Sequence, residues 1–425
     1  MNSDDQVLDP LPGSAARRPG VVERFARQMV TAALLAIDDG KLVILDRDER
    51  LLFGTERGGL NATVRVGDPA FWPMVAFGGS IGAGEAYLRG MWECDDLTAL
   101  IRILVRNQGA QQRMEGRLAR VSGIVQRLLH RLNDNSHHGS RRNIAAHYDL
   151  GNDFYQLFLD PTMAYSCGIF EQSDSTMEEA SIAKFDHICR ALGLGEGMTL
   201  LEIGTGWGGF AIHAARHYGC RVTTTTISAR QHALARERIH AAGLQDRITL
   251  LQQDYRDLTG QFDRLVSIEM IEAVGHRHLP AFFRVCSDRL KPDGLALIQA
   301  ISVPDRIYAT YIRTPDFINR YIFPGGCCPS PGAMAATVAE HTDLRLLRQE
   351  DFSRHYARTL REWRATFTAR VPEVRALGYD ERFIRMWRYY LCYCEGGFEE
   401  EFTTLLQLLY AKPGYRTGTV TGGPS

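Results

Sequence analysis

No apolar run in this chain is long enough to cross a bilayer. The longest, such as Met29–Ile37, reach about nine residues where a spanning helix needs about 20. The opening stretch MNSDDQVLDPLPGSAARRPG has no apolar centre, so a secretory leader is not expected there. An excess of one charge is missing too. Lys and Arg number 49 and Asp and Glu 50, which argues against a broadly basic nucleic-acid binder. The nine cysteines lack a pattern: neither Cys392-x-Cys394 nor the adjacent Cys327 and Cys328 has the second half that a zinc site needs. They read as reduced thiols of a cytoplasmic protein. What remains is an ordinary globular composition, 45% hydrophobic and 23% charged, over 425 residues, enough for two or three domains.

The pattern changes along the chain. Residues 1–20, with Pro10, Pro12 and Pro19, read as a tail. Residues 21–108 read as a small α+β unit. A helix comes first, then the alternating runs KLVILDRDERLLFG and LNATVRVGDP, then helical pattern from Trp72 to Arg106 interrupted at GGSIGAGEAYLRG. Residues 109–142 hold an amphipathic helix and a linker. Met114, Leu118, Val121, Val125, Leu128 and Leu132 line one face and Arg113, Arg117, Arg120, Arg127 and Arg131 the other, a pattern of helices that lie on anionic membranes and also of helices with a solvated Arg face. From Gly197 strands and helices alternate: MTLLEIG, RVTTTTIS, RITLLQQD, DRLVSIEM and LALIQAIS are the strands of a parallel sheet covered on both faces. The fold class is therefore α/β, Rossmann-like, with an aromatic and mostly helical cap over 309–410, and a tail closing the chain from residue 413.

The strongest local signal is the loop Leu201-Glu202-Ile203-Gly204-Thr205-Gly206-Trp207-Gly208-Gly209. Glycines there let the backbone turn tightly and a ligand approach it. A dinucleotide site would carry an acid at the end of the second strand, but that strand ends Thr226-Ile227-Ser228. The acid, Glu202, instead sits inside the first strand, and a P-loop lysine is lacking. A Trp207-containing loop with little positive charge suits a ligand without phosphate, such as S-adenosylmethionine (SAM).

Around this loop the chain resembles the cyclopropane-fatty-acyl-phospholipid synthase family. The segments AAHYDLGNDFYQLFLDPTMAYSCGIF, LEIGTGWGG, TTISARQ, QQDYRDL, EMIEAVGH, DFINRYIFPGGCCPS, HYARTLREW and YYLCYCEGGF follow in order across 143–410, and GSIGAGEAYLRGMWECDDLTALIRI resembles the family's lipid-facing domain. The resemblance implies a SAM-dependent methyltransferase domain over 143–412. It implies that Tyr165 and Ser166 meet the methionine end of SAM and that Gly204, Gly206 and Gly208 pass beneath it. Thr226, Ser228 and Gln231 would lie near the ribose, and Asp254 and Tyr255 would frame the adenine. It further implies that Cys167, Glu272, Tyr356 and the backbone of Ile301 surround a bicarbonate ion, and that Cys394 belongs to the active site. Gln299 stands where well-known bacterial members have His, and Thr205 replaces a cysteine of the loop motif.

The implied chemistry adds a methylene from SAM across the cis double bond of an unsaturated phospholipid acyl chain. An alkene is a poor nucleophile, so positioning carries much of the work, and water has to be excluded from the carbocation that follows. Aromatic faces stabilise such a cation without attacking it, and Trp387, Tyr389, Tyr390, Tyr393 and Phe398 are candidates for the lining. A base then removes a proton from the added methyl group. Bicarbonate, oriented by Glu272, would serve, and Gln299 could donate a hydrogen bond. Expected partners are anionic headgroups at the inner face of the membrane, unsaturated acyl chains and a second copy of the chain. Competing readings are a methyltransferase that leaves a methyl or methylene branch, a non-catalytic lipid-binding protein, and a soluble small-molecule methyltransferase.

Overall fold

The computed structural model describes residues 19–107 and 150–416, and the Arg-rich helix expected within 109–142 lies outside them. The described chain divides into two units. The first contains 19–107, Arg313–Pro324 and Tyr356–Thr403; the second contains 150–312, Gly325–His355 and 404–416.

The first unit begins with α1 (Val21–Leu34), followed by β1 (Lys41–Asp46), β2 (Glu49–Gly54) and β3 (Asn61–Val66). Then come α2 (Phe71–Leu88), β4 (Trp92–Cys94) and α3 (Leu97–Arg106). The sheet order is β2-β1-β3-β4, with β1 and β3 parallel and the two outer pairings antiparallel. The glycine-rich stretch interrupts the helical pattern as expected: within α2 the backbone leaves helical geometry at Gly79 (φ 56°, ψ −140°), and the helix then resumes to Leu88. Glycine can take that backbone conformation without a side-chain clash. The neighbouring Gly84 lets Phe317 approach so closely that a Cβ there would lie 2.5 Å from its ring.

In the second unit, α4 (Asn152–Gln156) and α5 (Met177–Ala191) precede β5 (Thr199–Ile203), α6 (Gly209–Tyr218), β6 (Arg221–Thr225), α7 (Ala229–Ala241), β7 (Ile248–Leu251) and β8 (Phe262–Ile268). The unit continues with α8 (Leu279–Asp288), β9 (Leu290–Ser302), α9 (Asp305–Tyr311), α10 (Pro331–His341), β10 (Arg345–Asp351) and β11 (Thr404–Ala411). The seven strands are ordered β10-β11-β9-β8-β5-β6-β7, parallel from β9 to β7, with β11 and β10 added antiparallel. Residues 309–410 are mostly helical as expected, and β10 and β11 add two strands that the sequence pattern does not announce. The continuous apolar run TLLQLLYA has no period that separates strand from buried helix, and its pairing with β9 decides the matter.

Side chains along a strand alternate between faces, so each core layer can be traced. Leu201, Ile203, Ala296 and Ile298 join Phe282 and Phe283 on one face; Leu200, Leu297 and Val222 join Ile188 and Phe210 on the other. Glu202 and Gln299 are two residues beyond Leu200 and Leu297, which points them to the face that α5 and α6 cover. The strand order reverses at β5, where a doubly wound sheet opens a crevice at the carboxyl ends of its strands.

The later elements of the first unit are a single π-helical turn at Ile318–Ile322, α11 (Ser353–Ala369), which begins in the second unit, α12 (Val371–Ala376) and α13 (Glu381–Glu399). Helix α13 buries Trp387, Tyr389, Tyr390 and Phe398. Its Glu395 is buried against the guanidinium of Arg364 (2.8 Å) and the hydroxyl of Thr98 (3.2 Å). Among the described residues no helix is long and apolar enough to cross a membrane.

Candidate active site

The glycine loop leaves β5 and enters α6. Gly204, Gly206 and Gly208 all have left-handed φ angles (103°, 52° and 85°), a region that favours glycine. The N–H groups of Gly204 and Thr205 both donate to the carbonyl of Thr225, tying the loop to the end of β6. A Cβ on Gly206 would meet nothing within 4 Å among the described residues, so that position faces space on which a ligand can lie. Trp207 donates from Nε1 to Asn152 Oδ1 (2.8 Å), and its ring lies 4.9 Å from Tyr155, which packs edge-on against Tyr165 (5.2 Å). Tyr155 thus joins two expected site residues without having been singled out in the sequence. Its position in NDFYQLFLD, within the short α4 turn, is the signal that was there to use.

The predicted ribose residues form one hydrogen-bonded group after β6. Thr226 Oγ1 donates to Gln231 Oε1 (2.8 Å), Ser228 N–H donates to Thr226 Oγ1 (3.1 Å), and Gln231 N–H donates to Ser228 Oγ (3.3 Å) as α7 begins. After β7, the buried carboxylate of Asp254 takes a bidentate pair from Arg256 (2.8 and 2.7 Å), and Tyr255 packs edge-on against Phe282. Glu202 faces inward, accepting from Thr224 Oγ1 at 2.6 Å, and burial raises its pKa to about 8. It is therefore a neutral acid at pH 7. An open glycine cradle with polar groups at the ends of β6 and β7 fits an adenosyl ligand.

A second cluster lies beyond β8 and β9. Glu269 has a positive φ of 49°, unusual for a residue with a side chain, and its Oε1 accepts from Cys167 N–H (2.9 Å) and Gln299 Nε2 (2.7 Å). Gln299 is completed by Gln407 of β11, whose Nε2 donates to Gln299 Oε1 at 2.9 Å. Three residues on, Glu272 Oε1 accepts the Ile301 N–H at 2.5 Å. Its other oxygen, Oε2, is buried with no hydrogen-bond partner among the described residues. Burial, reinforced by the neighbouring Glu269, raises Glu272 to about 8. The unpaired Oε2 is then where the proton of the neutral acid belongs, and it points to a missing acceptor.

Cys167, Gln299, Ile301 and Glu272 thus come together around Glu269, which sequence reasoning passed over although it opens the EMIEAVGH segment. Cys394 and Tyr356 belong to the first unit. Tyr356 is buried, its ring 4.5 Å from Phe398. Burial, with Asp316 nearby, pushes the Cys394 thiol well above its ordinary pKa, so it is no thiolate at neutral pH. Among the described residues no group of His, Cys, Asp or Glu is arranged to hold a metal ion.

Comparison with known proteins agrees with this geometry. The mycolic acid cyclopropane synthetase family matches residues 135–408. The chain is 38% identical to the tuberculostearic acid methyltransferase UfaA1 of Mycobacterium tuberculosis, over 79% of this chain and 80% of that protein. It is 37% identical to the cyclopropane-fatty-acyl-phospholipid synthase of Escherichia coli, over 84% and 89% respectively. The mycolic acid cyclopropane synthase CmaA1, solved as a complex with SAH and CTAB, superposes with a TM-score of 0.60 at 32% identity, covering 64% of this chain and 98% of that one. The chain therefore belongs to the mycolic acid cyclopropane synthetase family and is a SAM-dependent methyltransferase.

Proposed function

We propose that the chain converts a cis double bond of an unsaturated phospholipid acyl chain into a cyclopropane, with SAM as carbon donor and bound bicarbonate as the base. The observation that carries this reading is the buried Oε2 of Glu272, which has no hydrogen-bond partner among the described residues. A neutral carboxyl there can donate to an anion, whereas two adjacent anions would repel at high cost in a dry site. When bound, SAM supplies an electrophilic methyl group and bicarbonate a proton acceptor. The alkene π pair would bond to the methyl carbon as its bond to sulfur breaks and S-adenosylhomocysteine is left; the added group would lose one proton to the base, and the electron pair of that C–H bond would close the ring. Glu272 orients the base, its Oε1 fixed by the Ile301 N–H. Gln299, held on both sides, has no proton to give up at neutral pH and acts as a fixed donor.

The relative named as a tuberculostearic acid methyltransferase supports a second reading, in which methyl transfer ends in a branch. In either reading the substrate lies in a membrane. We place the chain at the inner face, drawn to anionic headgroups by Arg113 to Arg131, and working as a homodimer. The test is turnover with SAM and vesicles of unsaturated phospholipid, with and without bicarbonate. Bicarbonate-dependent appearance of upfield cyclopropane protons in the NMR spectrum of the lipid is expected. A methyl branch as product favours the second reading, and no consumption of SAM overturns both.

A further inference from the structure

One buried cation, that of Lys184, lies beneath this site and takes no part in the proposed chemistry. The Thr176–Glu179 capping box starts α5, whose inward face buries Ser181, Lys184, Phe185 and Ile188. On that face Ser181 donates to Asp160 Oδ2 (2.9 Å), and one turn on Lys184 donates from Nζ to Ser166 Oγ (2.6 Å). Lys184 is 1% exposed, and no other Lys or Arg among the described residues is buried to this degree. Its ammonium makes no ion pair among the described residues. Among the described residues its ammonium nitrogen has that single hydrogen bond and the Phe185 ring, 4.4 Å away, while Glu269, Asp160, Glu202 and the Cys167 thiol act on it from farther off. Burial favours the uncharged amine, and those carboxyl groups oppose the effect.

A buried ammonium with two donors unused is costly, and an apolar side chain would fill the same space more cheaply. The arrangement makes sense if the charge acts on something that the folded chain alone does not contain. Ser166 is the relay. Its Oγ accepts from Lys184, so its own O–H is free to donate onward, and it stands between Tyr165 and Cys167. The other large cation near this loop is already engaged: Arg238 donates to the carbonyls of Pro161, Thr162 and Trp207 (2.9, 3.0 and 2.8 Å).

We propose that Lys184 is a positioning residue that, through Ser166, holds a carboxylate-type oxyanion of the reacting complex. This rests on the reading that the chain binds SAM. Two oxyanions have that chemistry, the methionine carboxylate of the cosubstrate and bicarbonate, and the experiment separates them. S-adenosylhomocysteine and its decarboxylated analogue are titrated by calorimetry into the full-length chain and into Lys184→Met and Lys184→Arg. Half-saturating bicarbonate is measured in the turnover assay with the same three proteins.

If the methionine carboxylate is the anion, Lys184→Met weakens S-adenosylhomocysteine by roughly tenfold or more, as loss of a charge-assisted hydrogen bond does. Lys184→Arg recovers part of the loss, and the decarboxylated analogue binds all three proteins alike. If bicarbonate is the anion, S-adenosylhomocysteine affinity is unchanged and half-saturating bicarbonate rises by a similar factor. Unchanged values for both ligands, with only a lower melting temperature, make Lys184 a structural residue and overturn the inference alone. Should Lys184→Met fail to fold, Ser166→Ala reads the same relay, and its indifference to both ligands has the same meaning. A parent chain that binds no S-adenosylhomocysteine overturns the SAM-binding reading and this inference with it.

Discussion

Replacing Glu272 by Gln tests the electrostatics of the site directly. Gln keeps an acceptor for the Ile301 N–H and places an amide donor where the proton of Oε2 would be, so it imitates the neutral acid and cannot ionise. In the parent chain this carboxyl is raised from 4.5 to about 8. Between those values the unfolded chain releases the proton while the folded chain keeps it. The folded state then binds more protons, and stability falls as pH rises. Below 4.5 both states are protonated and the effect vanishes; above about 8 both are ionised and the loss is complete. At about 1.4 kcal/mol per pH unit the loss comes to roughly 3–5 kcal/mol. Melting of Glu272→Gln and parent should therefore nearly coincide at pH 5, separate steadily up to about pH 8 and stay apart by a constant amount above it, with the variant the more stable. Glu202 titrates in both proteins and cancels from the difference. Turnover should follow the same group. The parent loses kcat/KM above about pH 8, where the carboxyl ionises beside the bound anion, and the variant keeps bicarbonate-dependent activity without that alkaline limb. A melting difference that stays constant with pH, or an identical alkaline limb in both proteins, would refute the reasoning.

Three further outcomes are expected. Gly206→Val forces a branched side chain into a left-handed φ and into the open cradle, so S-adenosylhomocysteine binding by calorimetry should be lost, with a stability cost of about 1–3 kcal/mol. Cys394→Ser should keep most turnover, and alkylation of Cys394 at pH 7 should be slow by mass spectrometry, because its thiol is not ionised there. Glu395→Ala leaves the Arg364 guanidinium without its buried partner and should cost about 3–5 kcal/mol in denaturant unfolding, while the affinity for S-adenosylhomocysteine stays unchanged.

Elements whose signal is local were readable from the residues in order. The loop from Glu202 to Gly209 announced a tight strand-to-helix turn, because glycine is the residue that takes three left-handed positions in five without strain. The alternation of short apolar runs with helical pattern announced a parallel sheet, and Glu272 stood out by following a strand's carboxyl end. Other features have no local signal. TLLQLLYA became an antiparallel strand only by pairing with β9 and β10, and the close approach of Phe317 to Gly84 joins segments far apart in the chain. Glu269 and Glu272 are three residues apart and alike on paper. Which one accepts Cys167 and Gln299, and which one keeps a bare buried oxygen, follows from segments as distant as 167, 299 and 301. Lys184 carries no signal in the chain order, and only the packing around α5 buries its amine against Ser166. Backbone conformation is a property of a few neighbouring residues, so the chain order displays it. Desolvation, and with it protonation, depends on everything that packs within a few ångströms, and that neighbourhood exists only once the strands have met.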